Sequence, residues 1–143
     1  MKFMLIVKAS GHSEAGVKPS RELMEAMAAY NKTLDKAGVL LSAEGLQPST
    51  SGLRISYPIP GGKPKVTVGP FAWEKQLVAG YTLIEVESEE EAIQWAMRMP
   101  DPQGYGNGEI ELRQLFEQEP IREPKQWVME ADLLDQIGML KNS

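Results

Sequence analysis

The first forty residues carry two different patterns of apolar positions. Phe3 to Val7 is a continuous apolar run, which is typical of a central strand covered on both faces. Residues 9–19 are mostly small or polar, and we interpret them as a loop. The next apolar residues recur every three or four positions and predict a helix over 20–37, with Ser20 suited to cap it and Gly38 to end it. The stripe on this helix consists of Leu23, Met27, Tyr30 and Leu34.

The remaining helices and strands are predicted from helical spacing, from strand alternation and from turn residues. Alternating residues on either side of a Pro- and Gly-rich turn predict a β-hairpin over 53–68. The segment Ser88-Glu-Glu-Glu91 has the spacing of a capping box and predicts the start of a second helix, which Pro100 ends. Further strands are predicted over 39–45, 81–86 and 109–116.

Without the hairpin, the predicted order is β-α-β-β-α-β, the ferredoxin-like α+β fold. Its helices cover one face of the sheet, and an uncovered apolar face costs about 25 cal/mol per Å². A second copy of the same sheet would provide the cover, so we expect a homodimer. We expect one domain over 1–116 and a C-terminal extension over 117–143 that carries an amphipathic helix.

Composition narrows the classes of function. The 143 residues carry a net charge of −5, which lacks the basic footprint of a nucleic-acid-binding protein. The absence of cysteine excludes disulfides, thiolate catalysis and sulfur-ligated metals. His12 is the only histidine, and no carboxylate spacing predicts a metal site, so we expect no metal or cofactor. No apolar run approaches the ~20 residues that span a bilayer, and we expect a cytoplasmic protein without membrane contact.

Four blocks of sequence, spread over residues 1–116, resemble one protein family. They are KFMLIVK at 2–8, MAAYNKTLDKAGVLLSAEGLQPS at 27–49, VGPFAWEKQLVAGYTLIEVESEEEAIQWA at 68–96 and GEIELRQLF at 108–116. The chain resembles YCII-related proteins of the DGPF type, which are small bacterial proteins with the dimeric α+β barrel. Their loop motif usually reads Asp-Gly-Pro-Phe-Ala-Glu-x-Lys and leads into a Gly-Tyr strand start. The matching positions here are Gly69, Pro70, Phe71, Ala72, Lys75, Gly80 and Tyr81.

Two positions of the loop depart from the family pattern. Val68 stands where the family usually has aspartate, and Trp73 stands where it usually has glutamate. The broader family resembles an enzyme group because a His-Asp pair lies in its cleft. His12 falls outside helix 20–37, where that histidine is expected, and we interpret it as a plain loop residue. The resemblance therefore implies no His-Asp mechanism for this chain, and it implies no established reaction for the DGPF type.

The motif loop supplies three candidate ligand-binding residues. Lys75, close in sequence to Phe71 and Trp73, could bind a carboxylate or phosphate or act as a base if desolvated. The alternative is a solvated lysine paired loosely with Glu74. Trp73 lies on no apolar stripe, so it either lines a pocket or forms a lid over the core.

Three residues outside the loop complete the set of candidates. Glu44 ends a predicted strand and could transfer protons in a cleft, or it could be exposed or paired with Arg54. Tyr30 and Tyr81 could offer their hydroxyls to a ligand, or they could pack in the core, as most such tyrosines do. We place the predicted pocket between helix 20–37, the sheet and the loop 69–75.

Two functions remain open from the sequence. The first is a small-molecule-binding or regulatory homodimer without catalysis, which the missing carboxylate at Val68 and the missing cleft histidine favour. The second is an enzyme that acts on a small organic acid or aromatic compound, with Glu44 as the acid-base group and Lys75 as the anion anchor. The second hypothesis depends on the resemblance of fold alone.

Overall fold

The computed structural model describes residues 1–72, 77–104 and 106–117, so the predicted helix of the C-terminal extension lies outside the described residues. Within these ranges the helices and strands alternate irregularly, as expected of an α+β protein. In chain order they are β1 (Lys2–Lys8), α1 (Gly11–Glu14), α2 (Arg21–Lys36), β2 (Leu40–Gly45), a 3₁₀ turn (Ser49–Ser51), β3 (Leu53–Ser56), β4 (Lys65–Val68), β5 (Val78–Glu85), α3 (Glu89–Met97) and β6 (Ile110–Gln114).

Four of the strands form one antiparallel sheet in the order β2-β5-β1-β6. Strands β1 and β5 pair in the centre, with Phe3 opposite Ile84 and Leu5 opposite Thr82. This order and the intervening helices are consistent with the ferredoxin-like fold. The remaining two strands, β3 and β4, pair with each other in a separate antiparallel sheet. We call the four-stranded sheet the main sheet and the two-stranded one the small sheet.

The core lies between one face of the four-stranded sheet and the helices. Phe3, Leu5 and Ile84 share that face because directly opposed residues point to the same side of a sheet. Leu34 of α2 and Ala92 of α3 are fully buried against it. The stripe predicted for α2 therefore does face the core.

Both long helices begin at the predicted serines. The Ser20 Oγ accepts the N–H of Leu23 at 3.1 Å, and the Ser88 Oγ accepts the N–H of Glu91 at 3.1 Å. The reciprocal half of the predicted capping box is different, since the Glu91 carboxylate accepts the N–H of Glu87 at 3.2 Å. Acidic side chains in the first turn of α3 also complement its helix dipole.

The stretch 9–19 is not entirely a loop. It contains the single-turn helix α1, whose start is capped by the Ser10 side chain, which accepts the N–H of Ser13. Composition concealed this turn, because small polar residues are typical of loops but serine is also the preferred cap of a helix. His12 consequently lies on a helical turn and not in an irregular loop.

The second face of the four-stranded sheet is only partly covered. Met4 lies opposite Leu83 and Ile6 opposite Tyr81, so the four side chains form one apolar cluster, and all are half-buried. The apolar run of β1 predicted full cover on both faces, and within the described residues only the helix side is fully covered. We call these four residues the open-face cluster.

Candidate functional site

A cavity of about 450 Å³ opens between the first half of α2 and the ends of β2 and β5. The wall formed by α2 is apolar apart from the amide of Asn31. On the opposite side, the backbones of β2 and β5 approach each other closely. An added Cβ at Gly80 would come within 2.7 Å of the Glu44 carbonyl oxygen, so this approach requires glycine. The lining includes Leu23, Met24, Met27, Ala28, Asn31, Ala43, Glu44, Gly45, Ala79, Gly80, Tyr81 and Thr82.

Two uncharged polar groups stand out in this apolar lining. The Oδ1 atom of Asn31 is buried and has no hydrogen-bond partner within the described part of the chain. Thr82 is 3% exposed and lines the cavity from the sheet side. A buried acceptor without a partner costs about 1–3 kcal/mol, so the cavity is suited to a molecule that donates a hydrogen bond.

Neither polar residue is predicted as a site residue from the sequence, although their spacing contains a signal. Asn31 lies four residues after Met27 and eight after Leu23, so it is a polar position beside the apolar stripe of α2. Thr82 lies two residues before Ile84 and therefore on the buried face of β5. A polar side chain at a buried position indicates either a hydrogen bond within the protein or a hydrogen bond to a ligand.

Glu44 and Tyr81 line the cavity, but strand alternation limits their side chains. The pairs Ala43–Thr82 and Glu44–Tyr81 are successive in the register of β2 and β5. Because successive residues point to opposite faces, Thr82 is directed toward α2, and Glu44 and Tyr81 are directed toward the open face. Glu44 is also exposed. The arrangement thus separates the predicted acid-base group from the interior of the cavity.

The alternative ion pair between Glu44 and Arg54 does not form. The Arg54 guanidinium lies instead over the ring of Phe71, 4.1 Å from its centroid. The face of an aromatic ring attracts a cation, and a planar guanidinium can stack on it. This interaction holds Arg54 at the motif loop.

Tyr30 lies in the core and is not among the described residues that line the cavity. Its hydroxyl donates a hydrogen bond of 2.6 Å to the Trp95 carbonyl oxygen, which joins α2 to α3. Burial raises the pKa of Tyr30 to about 12, and the positive charge of Arg98 lowers the pKa to a smaller extent. The hydroxyl is therefore neutral near pH 7 and already paired.

Phe71 belongs to a structural cluster around the Gly-Pro-Phe turn. Its backbone N–H donates to the Ser49 Oγ at 3.0 Å, and the Gly69 N–H donates to the Gly52 carbonyl oxygen at 2.9 Å. A Cβ on Gly69 would overlap the Ser49 carbonyl oxygen, so the position requires glycine. Phe71 does not line the cavity. Its backbone hydrogen bond to Ser49 connects the turn to the 3₁₀ segment.

The same cluster also holds α1. The Glu14 carboxylate accepts the backbone N–H of Ser49 at 3.0 Å and also accepts the Ser49 hydroxyl. Charge-assisted bonds of this kind are stronger than neutral ones. A chain of contacts thus runs from the Gly-Pro-Phe turn through Ser49 to Glu14, and it positions α1 and its neighbour His12.

A second cavity, of about 460 Å³, adjoins the first at the start of α2. It lies between α1, the segment leading into α2 and the loop after α3, and its lining includes His12, Lys18, Ser20 and Gln103. The sequence analysis predicted no role for His12 beyond a plain loop residue, and the structure places it in the wall of this cavity.

The loop after α3, which completes this wall, is organised around Asp101. Its carboxylate accepts the N–H groups of Gln103 at 2.9 Å and Gly106 at 2.6 Å. These hydrogen bonds hold the pKa of Asp101 below its usual value because they favour the charged form. The Asp101 carboxylate therefore positions Gln103 in the wall of the second cavity.

Lys75 and Trp73, the remaining predicted ligand residues, lie outside the described residues. The described part of the predicted loop, 69–72, does not contribute to either cavity. Of the predicted site, the structure brings together Glu44 and Tyr81 at one cavity, and it separates Tyr30 and Phe71 from that cavity.

The described ranges were also searched for metal-binding clusters and for membrane-spanning helices. They contain no cluster of three or more His, Asp or Glu side chains that could hold a metal ion. None of their helices is long and apolar enough to cross a membrane.

A family model, the YCII-related domain, matches residues 1–119. A search of curated proteins found no match.

Proposed function

The chain belongs to the YCII-related domain family, and we propose that it is a small-molecule-binding or regulatory homodimer whose ligand occupies the cavity between α2 and the sheet. The ligand would have an apolar body and at least one N–H or O–H donor. The apolar body would contact Leu23 and Met27, and the donor would pair with the Asn31 Oδ1.

One observation carries the proposal of binding, namely a buried acceptor in an apolar cavity. The volume of about 450 Å³ lies within the range of ~300–1,000 Å³ typical of small-molecule sites. A small number of polar groups in an apolar lining is also typical, since they orient the ligand. The Asn31 Oδ1 has no hydrogen-bond partner among the described residues, and a donor group on a ligand would supply one.

The proposal of a homodimer is supported by two uncovered apolar surfaces. One is the open-face cluster of the main sheet. The other is formed by two directly opposed pairs of residues in the small sheet. Each of these residues is at least 50% exposed: Leu53, Ile55, Val66 and Val68. Covering either surface with a second copy removes apolar area from water, at about 25 cal/mol per Å².

The cavity is tested with N-phenyl-1-naphthylamine, a neutral fluorescent probe with two apolar ring systems and one N–H donor. We expect wild-type protein to enhance its fluorescence saturably. Ala28→Phe, in the wall, should fill the cavity and weaken binding at least ~10-fold. Ala29→Phe, the next residue on the same helix, does not line the cavity and serves as the matched control. Equal binding by both variants would place the probe elsewhere and contradict the proposal.

The role of Asn31 is tested with a second probe, 1-phenoxynaphthalene, in which an ether oxygen replaces the N–H group. Wild-type protein should prefer the amine by about 3- to 10-fold, because only the amine donates a hydrogen bond. Asn31→Leu keeps the approximate size and removes the acceptor, so the preference should disappear. A preference retained in Asn31→Leu would show that Asn31 does not receive the donor.

The homodimer is tested by sedimentation velocity at micromolar concentrations. We expect a dimer for the wild type and for Ile93→Lys, which adds a charge on the exposed side of α3. Ile6→Lys places the same charge in the open-face cluster and should shift the protein toward monomer. A monomeric wild type, or a dimer unaffected by Ile6→Lys, would exclude this interface.

A further inference from the structure

The small sheet has an apolar face that the described part of the chain leaves uncovered. Its four residues are 50–70% exposed and form two directly opposed pairs: Leu53, Ile55, Val66 and Val68. An isolated two-stranded sheet is marginal in water, so this face needs cover from outside the described residues. The covering surface has to be apolar as well, because apolar patches of this kind mark sites of contact between proteins.

The segment that carries this face is positively charged. Residues 46–70 contain three basic side chains and no acidic one: Arg54, Lys63 and Lys65. Arg54 and Lys65 alternate with the apolar pairs and lie on the reverse side of the small sheet. Their field still extends to the apolar face, since the Debye length is about 10 Å at 0.1 M salt. Two small sheets packed on each other would bring like charges together, so the charge favours an apolar surface bordered by acidic residues.

The extension after β6 has the complementary pattern in its sequence. It lies outside the described residues, and its spacing predicts an amphipathic helix with one apolar stripe: Trp127, Val128, Ala131, Leu134 and Ile137. Residues 126–140 contain three acidic side chains and no basic one: Glu130, Asp132 and Asp135. The predicted helix thus combines an apolar stripe with the sign of charge that the small sheet attracts.

The chain leaves β6 at the corner of the main sheet that is diagonal to the small sheet. The two edge strands, β2 and β6, are separated by three strand spacings, about 14 Å. The Leu115 N–H donates to the Lys2 carbonyl oxygen, and Lys2 is opposite Glu85. The chain leads toward the small sheet from Gly45, which is opposite Gly80. The five steps from Gly80 to Glu85 add about 17 Å along the strands.

A second copy related by a twofold axis shortens this path. In the proposed homodimer, the open-face clusters of two main sheets face each other with aligned strands, about 10 Å apart. A twofold axis along the strands places β6 of the partner over β2, and an axis across the strands brings the two corners to the same end. One of the two separations disappears in either case. Residues 118–126, which reach up to about 30 Å when extended, can span the distance that remains.

On the basis of the proposed homodimer, we infer that the segment 127–137 of each protomer docks as an amphipathic helix on the small sheet of its partner. Its apolar stripe covers the face that contains Ile55 and Val66, and its acidic side chains are attracted by Arg54 and Lys65. The docking surface is therefore completed only in the dimer, and the ligand of that surface is a second copy of this chain.

Cross-linking tests the contact directly, because the chain contains no cysteine and introduced thiols are the only ones present. Two full-length variants, Val66→Cys and Leu134→Cys, are co-expressed with different tags and treated with a short bismaleimide. We expect a cross-link between the two variants, since both positions lie at the centre of the proposed contact. A flexible cross-linker tolerates a shift of one residue in the docking register.

Two matched controls locate the contact on the correct faces. Thr67→Cys replaces Val66→Cys and lies on the reverse side of β4. Gln136→Cys replaces Leu134→Cys and lies on the opposite side of the predicted helix. Each control should lower the yield of the cross-link at least about 5-fold, because its thiol is directed away from the contact.

The dissociation constant of the dimer provides an independent measurement. Ile55→Ala and Leu134→Ala should each weaken the dimer about 3- to 10-fold in sedimentation velocity. Because the two side chains contact each other in the proposed interface, the double variant should lose less than the product of the two effects. Effects that simply multiply would contradict the contact.

The outcomes separate this inference from the proposed function. A dimeric wild type without a selective cross-link overturns the docking of the segment and leaves the homodimer proposal intact. A cross-link confined to single chains that carry both Val66→Cys and Leu134→Cys would show that each protomer covers its own small sheet, which contradicts the exchange. A monomeric wild type overturns both. Melting temperatures of all variants within a few degrees of the wild type exclude unfolding as the cause.

Discussion

The main sheet and the small sheet follow the same rule of alternation, but their apolar faces have different environments. In the main sheet, Leu5 and Ile84 are 0% exposed because α2 and α3 cover them. In the small sheet, Ile55 and Val66 are directly opposed and are 50% and 56% exposed. The pattern of a strand determines which residues share a face, and only the neighbouring elements determine whether that face is buried.

The two sheets therefore depend on different sources of stability. An isolated two-stranded sheet is marginal in water, so β3 and β4 need support from outside their own pairing. The described support is the cluster around the Gly-Pro-Phe turn, where Gly69 bonds to Gly52 and Phe71 bonds to Ser49 of the 3₁₀ segment. The homodimer proposal would add cover for the apolar face.

The largest expected effect separates the two sheets directly. Leu34→Ala should lower the free energy of unfolding by about 3 kcal/mol, because it leaves a cavity in the core. Ile55→Ala in the small sheet should cost less than about 0.5 kcal/mol in a monomer. Urea denaturation measures both. If a second copy covers Ile55, its cost should become larger and depend on protein concentration. Equal costs without concentration dependence would contradict the comparison.

The junction between the sheets is tested by Gly69→Ala. The added methyl group meets the Ser49 carbonyl oxygen, which is backbone and cannot move without shifting the 3₁₀ segment. We expect a loss of about 2 kcal/mol by urea denaturation. Gly45→Ala is the control, since a Cβ there meets nothing within 4 Å. Similar stabilities of the two variants would show that the turn is not fastened as described.

Tyr30→Phe compares a buried hydroxyl with an exposed one. It removes the 2.6 Å hydrogen bond to the Trp95 carbonyl oxygen, which keeps only the longer bond of 3.2 Å from the Arg98 N–H. The expected cost is about 1 kcal/mol in thermal or urea denaturation. Tyr57→Phe, 72% exposed beside the small sheet, should change the stability by much less. A cost at Tyr57 equal to that at Tyr30 would indicate cover of the small sheet by another surface.

The smallest expected effect is the dependence of stability on pH through Asp101. Its pKa is lowered in the folded protein, so its ionised form stabilises the fold at pH values above its unfolded pKa of about 3.9. That stabilisation is lost as the pH falls through the lower, folded pKa. The difference in melting temperature between wild type and Asp101→Asn should therefore be largest near neutral pH and shrink in acid. Asp35→Asn, on the exposed last turn of α2, controls for the removal of one charge, and an equal pH dependence in that variant would remove the assignment to Asp101.

Much of the fold could be predicted, because its elements carry local signals. The stripe of α2, the serine caps and the alternation of β5 are interactions between residues close in sequence. The predicted loop over 9–19 was wrong for α1, since a single turn has no room for an apolar stripe. The site could be predicted only in part. Glu44 and Tyr81 line the cavity. Asn31 and Thr82 could not be assigned to it, because periodicity shows which face a residue lies on and not whether a cavity opens there.

Periodicity and motif spacing are properties of the chain alone, so the family, the order of the main helices and strands and the alternation of their faces could be predicted without a structure. Which of these faces meet depends on tertiary packing. Packing joins Phe71 to Ser49 and Ser49 to Glu14, and it places His12 and Lys18 in one cavity wall. Cavities and polar networks form between elements far apart in sequence, so a local pattern cannot specify the distances within them.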